Sequence, residues 1–332
     1  MAFRDILGHA REIGVIKNSI KNGRLAHAFI FSGPESIGKR LVASSLAAAL
    51  NCARPVDGDA CGECADCRLA RALSHPNILE VVPVDAKGEP VANGLIRIEQ
   101  VRDVQAALRY RVERGKKVVV VDQAEKFMPA AANAFLKTLE EPPADSIIIL
   151  ITSRAPELLP TILSRCHRVN FSPIPAFELA TALSGVHSIS QEDGLALARL
   201  SGGSMGSALR YLGGGAHEKR REVLSKLGSL ATGDAMGALA LAEELSKRDD
   251  IDELLEFMKC WYRDRLVAAE GAPELVVNSD FTEYLQGEED ISFSRLAGSY
   301  SMIENARRNI TPPRYGNRQL TMEVLLLHLA GC

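Results

Sequence analysis

Residues Phe29–Arg40 read F-I-F-S-G-P-E-S-I-G-K-R, and they constrain the fold more than any other stretch. A short apolar run, Ala28–Phe31, leads into Gly33-Pro34-Glu35-Ser36-Ile37-Gly38-Lys39-Arg40, and a helix-like run, Leu41–Leu50, follows. Strand, glycine loop, lysine and helix in that order are the context of a phosphate-binding P-loop. Gly33 and Gly38 let backbone N–H groups turn inward around phosphate oxygens, and the helix N-terminus adds its positive dipole end. Lys39 would reach the outer phosphates. The next residue should be Ser or Thr, whose hydroxyl holds Mg²⁺. Here it is Arg40, a fixed cation that would repel the metal.

The second signal is Val118-Val119-Val120-Val121-Asp122, four β-branched residues ending in an acid. This is the pattern of a buried parallel strand. At its carboxyl end, near the P-loop, Asp122 can help hold Mg²⁺. The following position in a working ATPase carries Glu, which activates the attacking water. Here it is Gln123, an amide that can hydrogen-bond a water but cannot take its proton. Ser146–Ile151 is another buried strand, and it ends in Thr152-Ser153. A polar residue there either touches the γ-phosphate or a water, or caps the strand.

Between these strands lies Cys52-x8-Cys61-x2-Cys64-x2-Cys67. Four thiolates with two short C-x-x-C steps suit tetrahedral zinc, with bonds of about 2.3 Å. Pro55, Asp57, Gly58 and Gly62 supply turns that fold the loop around one ion. The alternative is free thiols in a cytosolic loop. No open position for water is evident, so the site reads as structural. Cys260 and Cys332 are taken as buried or incidental thiols.

The remaining chain supplies the frame. Phe3–Gly23 reads as a helix, Ile78–Val84 as a strand, Lys87–Gly94 as a loop, Ile96–Leu108 as a helix and Pro129–Glu140 as a helix ending before Pro142-Pro143. Arg109, Arg111, Arg114, Lys116 and Lys117 form a basic cluster, either a phosphate contact or a solvated helix end and turn. Strands alternating with helices imply a parallel, doubly wound α/β sheet through about residue 172. Pro173 and Pro175 mark a boundary, Ala176–Leu212 reads as helical, and Gly213–Gly215 as a linker. Beyond His217 the pattern is helical again; Ile251, Leu254, Leu255, Met258, Tyr262 and Leu266 recur on a 3.6-residue period. Leu320–Leu329 reads as buried, in this domain or against another chain.

At 332 residues the chain has room for two or three domains, and its 46% hydrophobic content is that of an ordinary soluble protein. A net charge of −3 excludes a general electrostatic attraction to DNA, so any nucleic-acid contact must be local or shared with partners. No apolar run approaches the roughly 20 residues of a membrane span. Met1–Ala10 lacks a signal-peptide core, and a cytoplasmic location is expected.

Together, H-A-F-I-F-S-G-P-x-x-x-G-K, the four-cysteine insert, V-V-V-V-D-Q-A-E, L-K-T-L-E-E-P-P and T-I-L-S-R-C resemble bacterial clamp-loader subunits of the AAA+ superfamily. The resemblance covers the whole nucleotide domain and lid and continues more weakly to N-R-Q-L-T-M-E-V-L-L-L near the end. It implies an AAA+ P-loop domain over residues 1–172, a helical lid over 173–212 and a helical collar over 217–332 that joins a hetero-pentameric ring. Arg165, in Ser164-Arg165-Cys166, matches the arginine finger that reaches a neighbour's ATP site, Thr152 the sensor position, and Cys52, Cys61, Cys64 and Cys67 the zinc module. Active subunits of the gamma/tau type keep the P-loop Thr, the Asp-Glu pair and a lid Arg in G-S-x-R-x-A-L. This chain has Gly206 at that lid position. The resemblance is therefore to a subunit that does not hydrolyse ATP, within a DNA-directed DNA polymerase holoenzyme. Its implied partners are gamma/tau and delta subunits, a sliding clamp and primed DNA, with no membrane. The resemblance also allows ATP or ADP at a degenerate site. Two alternatives are an active gamma/tau-type ATPase and a zinc-stapled assembly scaffold with a vestigial site.

Overall fold

The computed structural model describes residues 2–91, 94–213, 216–272, 275–278, 292–310 and 316–332. Of the expected glycine linker, Gly214 and Gly215 lie outside the described residues, as do residues 92 and 93 of the loop expected over Lys87–Gly94. The chain divides into two compact units, residues 1–198 with 202–207, and residues 199–201 with 208–332.

The first unit is built on a five-stranded parallel sheet in the order β2-β3-β4-β1-β5. The strands are β1 (Ala28–Ser32), β2 (Ile78–Val81), β3 (Lys117–Val121), β4 (Ser146–Thr152) and β5 (His167–Asn170). Alternation along the strands makes two cores. Phe29, Phe31, Val118, Val120, Ile147, Ile149 and Ile151 point to one face. There they meet α1 (Ala10–Lys21) and α2 (Lys39–Asn51), with Ile16, Val42 and Leu46 in contact. Ala28, Ile30, Val119, Val121, Ile148 and Leu150 point to the other face. That face is covered by α4 (Ile98–Leu108), α5 (Pro129–Glu140) and α6 (Pro160–Leu163). Burial on both faces is why β1, β3 and β4 read as continuous apolar runs. A further helix, α3 (Ala65–Arg71), starts inside the cysteine segment and carries Cys67.

Two expectations need correction, and one strand was not expected. Phe3–Gly23 is not one helix: a 3₁₀ turn over Phe3–Asp5 is followed by a break, and α1 starts only at Ala10. Gly8 and His9 both have positive φ, which interrupts helical geometry. The second strand stops at Val81; Val84 instead bridges to Leu95 and Pro90 in a separate turn. Strand β5 carries no apolar run, because its exposed edge needs only Val169 buried.

The proline boundary is followed by α7 (Ala176–His187), α8 (Gln191–Leu200) and α9 (Met205–Leu212). The second unit contains α10 (Ala216–Gly228), α11 (Ala235–Ser246), α12 (Ile251–Ala269), α13 (Phe293–Ile310) and α14 (Arg318–Ala330). The α12 stripe Ile251, Leu254, Leu255, Met258 and Tyr262 is buried here, as are Met322, Leu325 and Leu326 of α14. Leu320 and Val324 on α14 are exposed. Asp264 is fully buried and accepts hydrogen bonds from the backbone N of Val277 (3.0 Å) and Asn278 (2.7 Å), which ties that loop to α12.

Phe135 of α5 is fully buried, its ring 5.5 Å from that of Phe127. Phe135→Ala is expected to destabilise the sheet-containing unit by about 3–5 kcal/mol, read as a lower urea midpoint.

Candidate functional site

The parallel order places the carboxyl ends of β1, β3 and β4 side by side, and the P-loop, Asp122 and Thr152 issue from them. Ligands of open α/β sheets bind at such strand ends. Gly33 (φ 150°) and Gly38 (φ 108°) adopt backbone that L side chains rarely take, and Gly38 caps α2. A Cβ on Gly33 would collide with the carbonyl oxygen of Phe171. The loop thus has the shape that the glycine spacing requires.

Its charges are arranged otherwise than in a metal-nucleotide site. Lys39 is buried, and its Nζ donates to the carbonyl oxygens of Gly33 (2.6 Å) and Pro34 in its own loop. Burial lowers the lysine pKa, and Glu125, Glu35 and Asp122 oppose that effect. Arg40 sends one guanidinium nitrogen to Glu80 of β2 (2.6 Å) and brings another to 3.7 Å from Asp122. Burial pushes the Asp122 carboxyl above its ordinary range, while Arg40 pulls it back. A permanent cation therefore stands beside the acid that would hold Mg²⁺. Two like unit charges about 4 Å apart repel by roughly 4 kcal/mol at an effective dielectric of 20, and a divalent ion doubles that.

Gln123 has left-handed backbone (φ 53°), and its N–H donates to Asp122 Oδ1 at 3.0 Å. Thr152 is fully buried, and its hydroxyl accepts from the backbone N of Arg154 at 3.0 Å, which is a strand-end cap. Beside it, Ser153 donates its hydroxyl to Glu125 (2.7 Å) and lies 3.2 Å from Glu35 of the P-loop. Glu125 is itself buried.

The first unit also includes the segment that closes over this loop. The Ser204 hydroxyl donates to Glu35 O (3.1 Å), and Gly206 N donates to Ser36 O (3.0 Å). A Cβ on Gly206 would lie 2.7 Å from Ser36 Cβ, so this close approach requires glycine. From the other side, the buried His9 ring nitrogen Nε2 is 2.7 Å from Ile37 O. Gly8 N donates to Glu178 Oε1 of α7 at 3.0 Å. The structure thus brings Gly33, Gly38, Lys39, Asp122 and Thr152 to one end of the sheet and adds Glu35, Glu80, Glu125 and His9. Glu80 is the acid in an otherwise apolar strand, and Glu125 stands three residues after Asp122; both are visible signals in the sequence, but their partners are not.

Arg165 lies elsewhere, just past α6. Its side chain is about one-third exposed; NH1 donates to Thr161 O (2.9 Å) and NH2 pairs with Glu140 Oε1 (2.7 Å). Behind it, burial pushes the Cys166 thiol up to about 12. The basic cluster behaves as a solvated turn in part: Arg114 pairs with Asp66, Lys116 with Asp145, and Lys117 donates to Ala107 O.

The four cysteines converge. The sulfurs of Cys52, Cys61, Cys64 and Cys67 all lie within 4.8 Å of one another, with 3.6 Å for Cys52–Cys67 and 3.9 Å for both Cys52–Cys64 and Cys61–Cys67. Four ligands at about 2.3 Å from one tetrahedral ion would be about 3.8 Å apart, so the cluster fits a metal. Backbone N–H groups of Arg54 and Cys61 point at Cys52 Sγ, that of Cys64 at Cys61 Sγ, and that of Cys67 at Cys64 Sγ. Such donors stabilise thiolates; those of Glu63 and Cys64 bring Cys61 down to about 6. Burial pushes Cys67 up to about 12, and an ion would be needed to ionise it.

Known proteins resemble this chain in sequence. A family model described as "DNA polymerase III, delta subunit" matches residues 8–175, and one described as "DNA polymerase III, delta subunit, C terminal" matches residues 215–331. The chain is 40% identical over 205 residues to DNA polymerase III subunit delta' of Pseudomonas aeruginosa, covering 60% of each chain. It is 31% identical over 314 residues to DNA polymerase III subunit delta' of Escherichia coli, covering 94% of this chain and 91% of that one. It is 32% identical over 193 residues to DNA polymerase III subunit tau/gamma of Haemophilus influenzae, covering 58% of this chain but 26% of that one. The tau/gamma likeness takes in about a quarter of its relative, whereas the Escherichia coli match spans nearly the whole of both chains, and this chain belongs to the DNA polymerase III delta-prime family.

Proposed function

We propose that this chain is a clamp-loader subunit that does not hydrolyse ATP itself and acts on a neighbour's nucleotide. The observation that carries this reading is Arg40, which sits on Glu80 and beside Asp122 where a working site would hold Mg²⁺. Gln123 supports it, since an amide cannot serve as general base. Gly206 at the lid position, packed on Ser36, supports it as well.

The neighbour's chemistry is then served by Arg165. Its position at the surface, outside the chain's own P-loop, suits a cation offered in trans. The assembly would include subunits of the gamma/tau and delta kinds, a sliding clamp and primed DNA. Among the described residues no helix is long and apolar enough to cross a membrane, and the proposed place of work is the cytoplasm. The proposed metal is one structural zinc. It would be held by Cys52, Cys61, Cys64 and Cys67 and would fix a loop that shares its core with α2, leaving no position open for water.

A second reading is an assembly scaffold that takes no nucleotide at all. One observation favours it: Lys39 is committed to the carbonyls of Gly33 and Pro34, where phosphate oxygens would otherwise be. Calorimetry with ATP and ADP separates the two. Saturable binding excludes the scaffold reading, and its absence leaves the trans role of Arg165 untouched.

The purified chain is expected to show no magnesium-dependent phosphate release above background. Robust turnover by the lone polypeptide would overturn the proposal. In the reconstituted assembly, Arg165→Ala should leave subunit association intact and slow hydrolysis at the adjoining site by roughly 10³-fold or more. Unchanged turnover would remove the trans role. Metal analysis should find about one zinc per chain, the stoichiometry of a four-thiolate site. Cys67→Ser should lower both zinc content and melting temperature, and a zinc-free wild-type chain would refute the metal assignment.

A further inference from the structure

Arg165 is not a free arm. Three groups hold its guanidinium: Thr161 O accepts from NH1 at 2.9 Å, the Ser164 hydroxyl lies 3.3 Å from NH1, and Glu140 Oε1 is 2.7 Å from NH2. The first two belong to the short α6 segment that carries the arginine, so they move with it. Glu140 does not. It is the last residue of α5, a helix fixed through the buried side chains of Phe135 and Leu139. The carboxyl end of a helix also carries partial negative charge, which adds to the hold on a cation there. Pro142 and Pro143 end the helix directly after this point, keeping Glu140 at its tip.

An arginine paired in this way cannot meet a phosphate without consequence. Glu140 already occupies NH2, and a phosphate bound to the same guanidinium would stand a few ångströms from a carboxylate. That like-charge approach is unfavourable. Either the carboxylate or the phosphate holds the arginine. The ion pair is about half exposed on the glutamate side, so it is weak enough to exchange.

We propose that Glu140 is a latch for Arg165: a positioning residue that pairs with the arginine in the chain as it stands and yields it to the triphosphate of a neighbouring subunit. This rests on the trans role proposed for Arg165 and adds a competitor to it. A competitor acting before nucleotide engages reduces the binding-competent fraction. It therefore raises the neighbour's KM for ATP and leaves kcat alone.

The test is ATP hydrolysis by the reconstituted assembly containing Glu140→Gln, Glu141→Gln, Arg165→Ala or the Glu140→Gln/Arg165→Ala pair. Glutamine keeps the shape and an accepting oxygen but removes the charge. The latch predicts that Glu140→Gln lowers KM for ATP about 1.5- to 5-fold, the range that exposed ion pairs span. It further predicts unchanged kcat, a smaller effect at high salt, no effect of Glu141→Gln, and no effect of Glu140→Gln once Arg165 is alanine. If Arg165→Ala slows turnover but Glu140→Gln leaves KM unchanged or raises it, the latch is wrong and the trans role stands. Persistence of the Glu140→Gln effect in the Arg165→Ala background also overturns the latch. If Arg165→Ala does nothing, both fall.

Discussion

The guanidinium of Arg40 between Glu80 and Asp122 governs the rest of the P-loop end. Parallel strands deliver Asp122 from β3 and Glu80 from the adjacent β2, and their carboxylates converge because β2 and β3 are paired in register. Two acids at the end of a buried sheet need a counter-charge. In a nucleotide motor a divalent ion supplies it only when nucleotide is bound. A side chain supplies it permanently and within the same polypeptide. On the proposed reading Gln123 and Gly206 fit the same picture: an amide at position 123 cannot take a proton from a water, and Gly206 packs against Ser36 where an active subunit would carry an arginine.

The closed arrangement follows from the same constraint. Lys39 is buried and must find acceptors, and those it has are carbonyls of its own loop. The Ser204 hydroxyl and the N–H of Gly206 then satisfy the carbonyls of Glu35 and Ser36. His9 lies against Ile37 O from the opposite side. The Lys39 ammonium and these loop carbonyls thus have protein partners, whereas the buried Glu125 Oε2 has no hydrogen-bond partner among the described residues. The cysteine loop applies similar logic on one face of the sheet: Cys52, Cys64 and Cys67 belong to the same core as Val42 and Leu46, so an ion held by their sulfurs would fix the loop to α2.

What could be read from the sequence, and what could not, divides along physical lines. Runs such as Val118–Val121 and Ser146–Ile151 announce themselves because burial on two faces permits no polar residue. Pro129–Glu140 is legible because prolines bound it at both ends. The cysteine cluster is legible because C-x-x-C spacing is a local property. β5 is not legible because an edge strand with one buried residue has no pattern to show. The break at Gly8-His9 was hidden because isoleucines at helical spacing continue across it. The role of Arg40 was half legible: its charge argued against magnesium, but the partners Glu80 and Asp122 are 40 and 82 residues away in the chain, and only the sheet order joins them. Glu140 was invisible as a partner for Arg165 for the same reason.

Ligands shift conformations only through differential affinity for two states. A P-loop whose lysine is already bonded to carbonyls of its own loop gains less from a triphosphate than one whose lysine is uncommitted. On the proposed reading, that makes the sheet-containing unit of this chain a poor responder to nucleotide and hence a steady platform for Arg165. The arginine itself needs the opposite property. It must leave one anionic partner for another when a neighbour's nucleotide arrives, and an exposed ion pair permits that where a buried one would not. Burial separates the two cations: Lys39, enclosed and bonded to carbonyls of its own loop, stays in place, whereas the Arg165–Glu140 pair left at the surface can be traded.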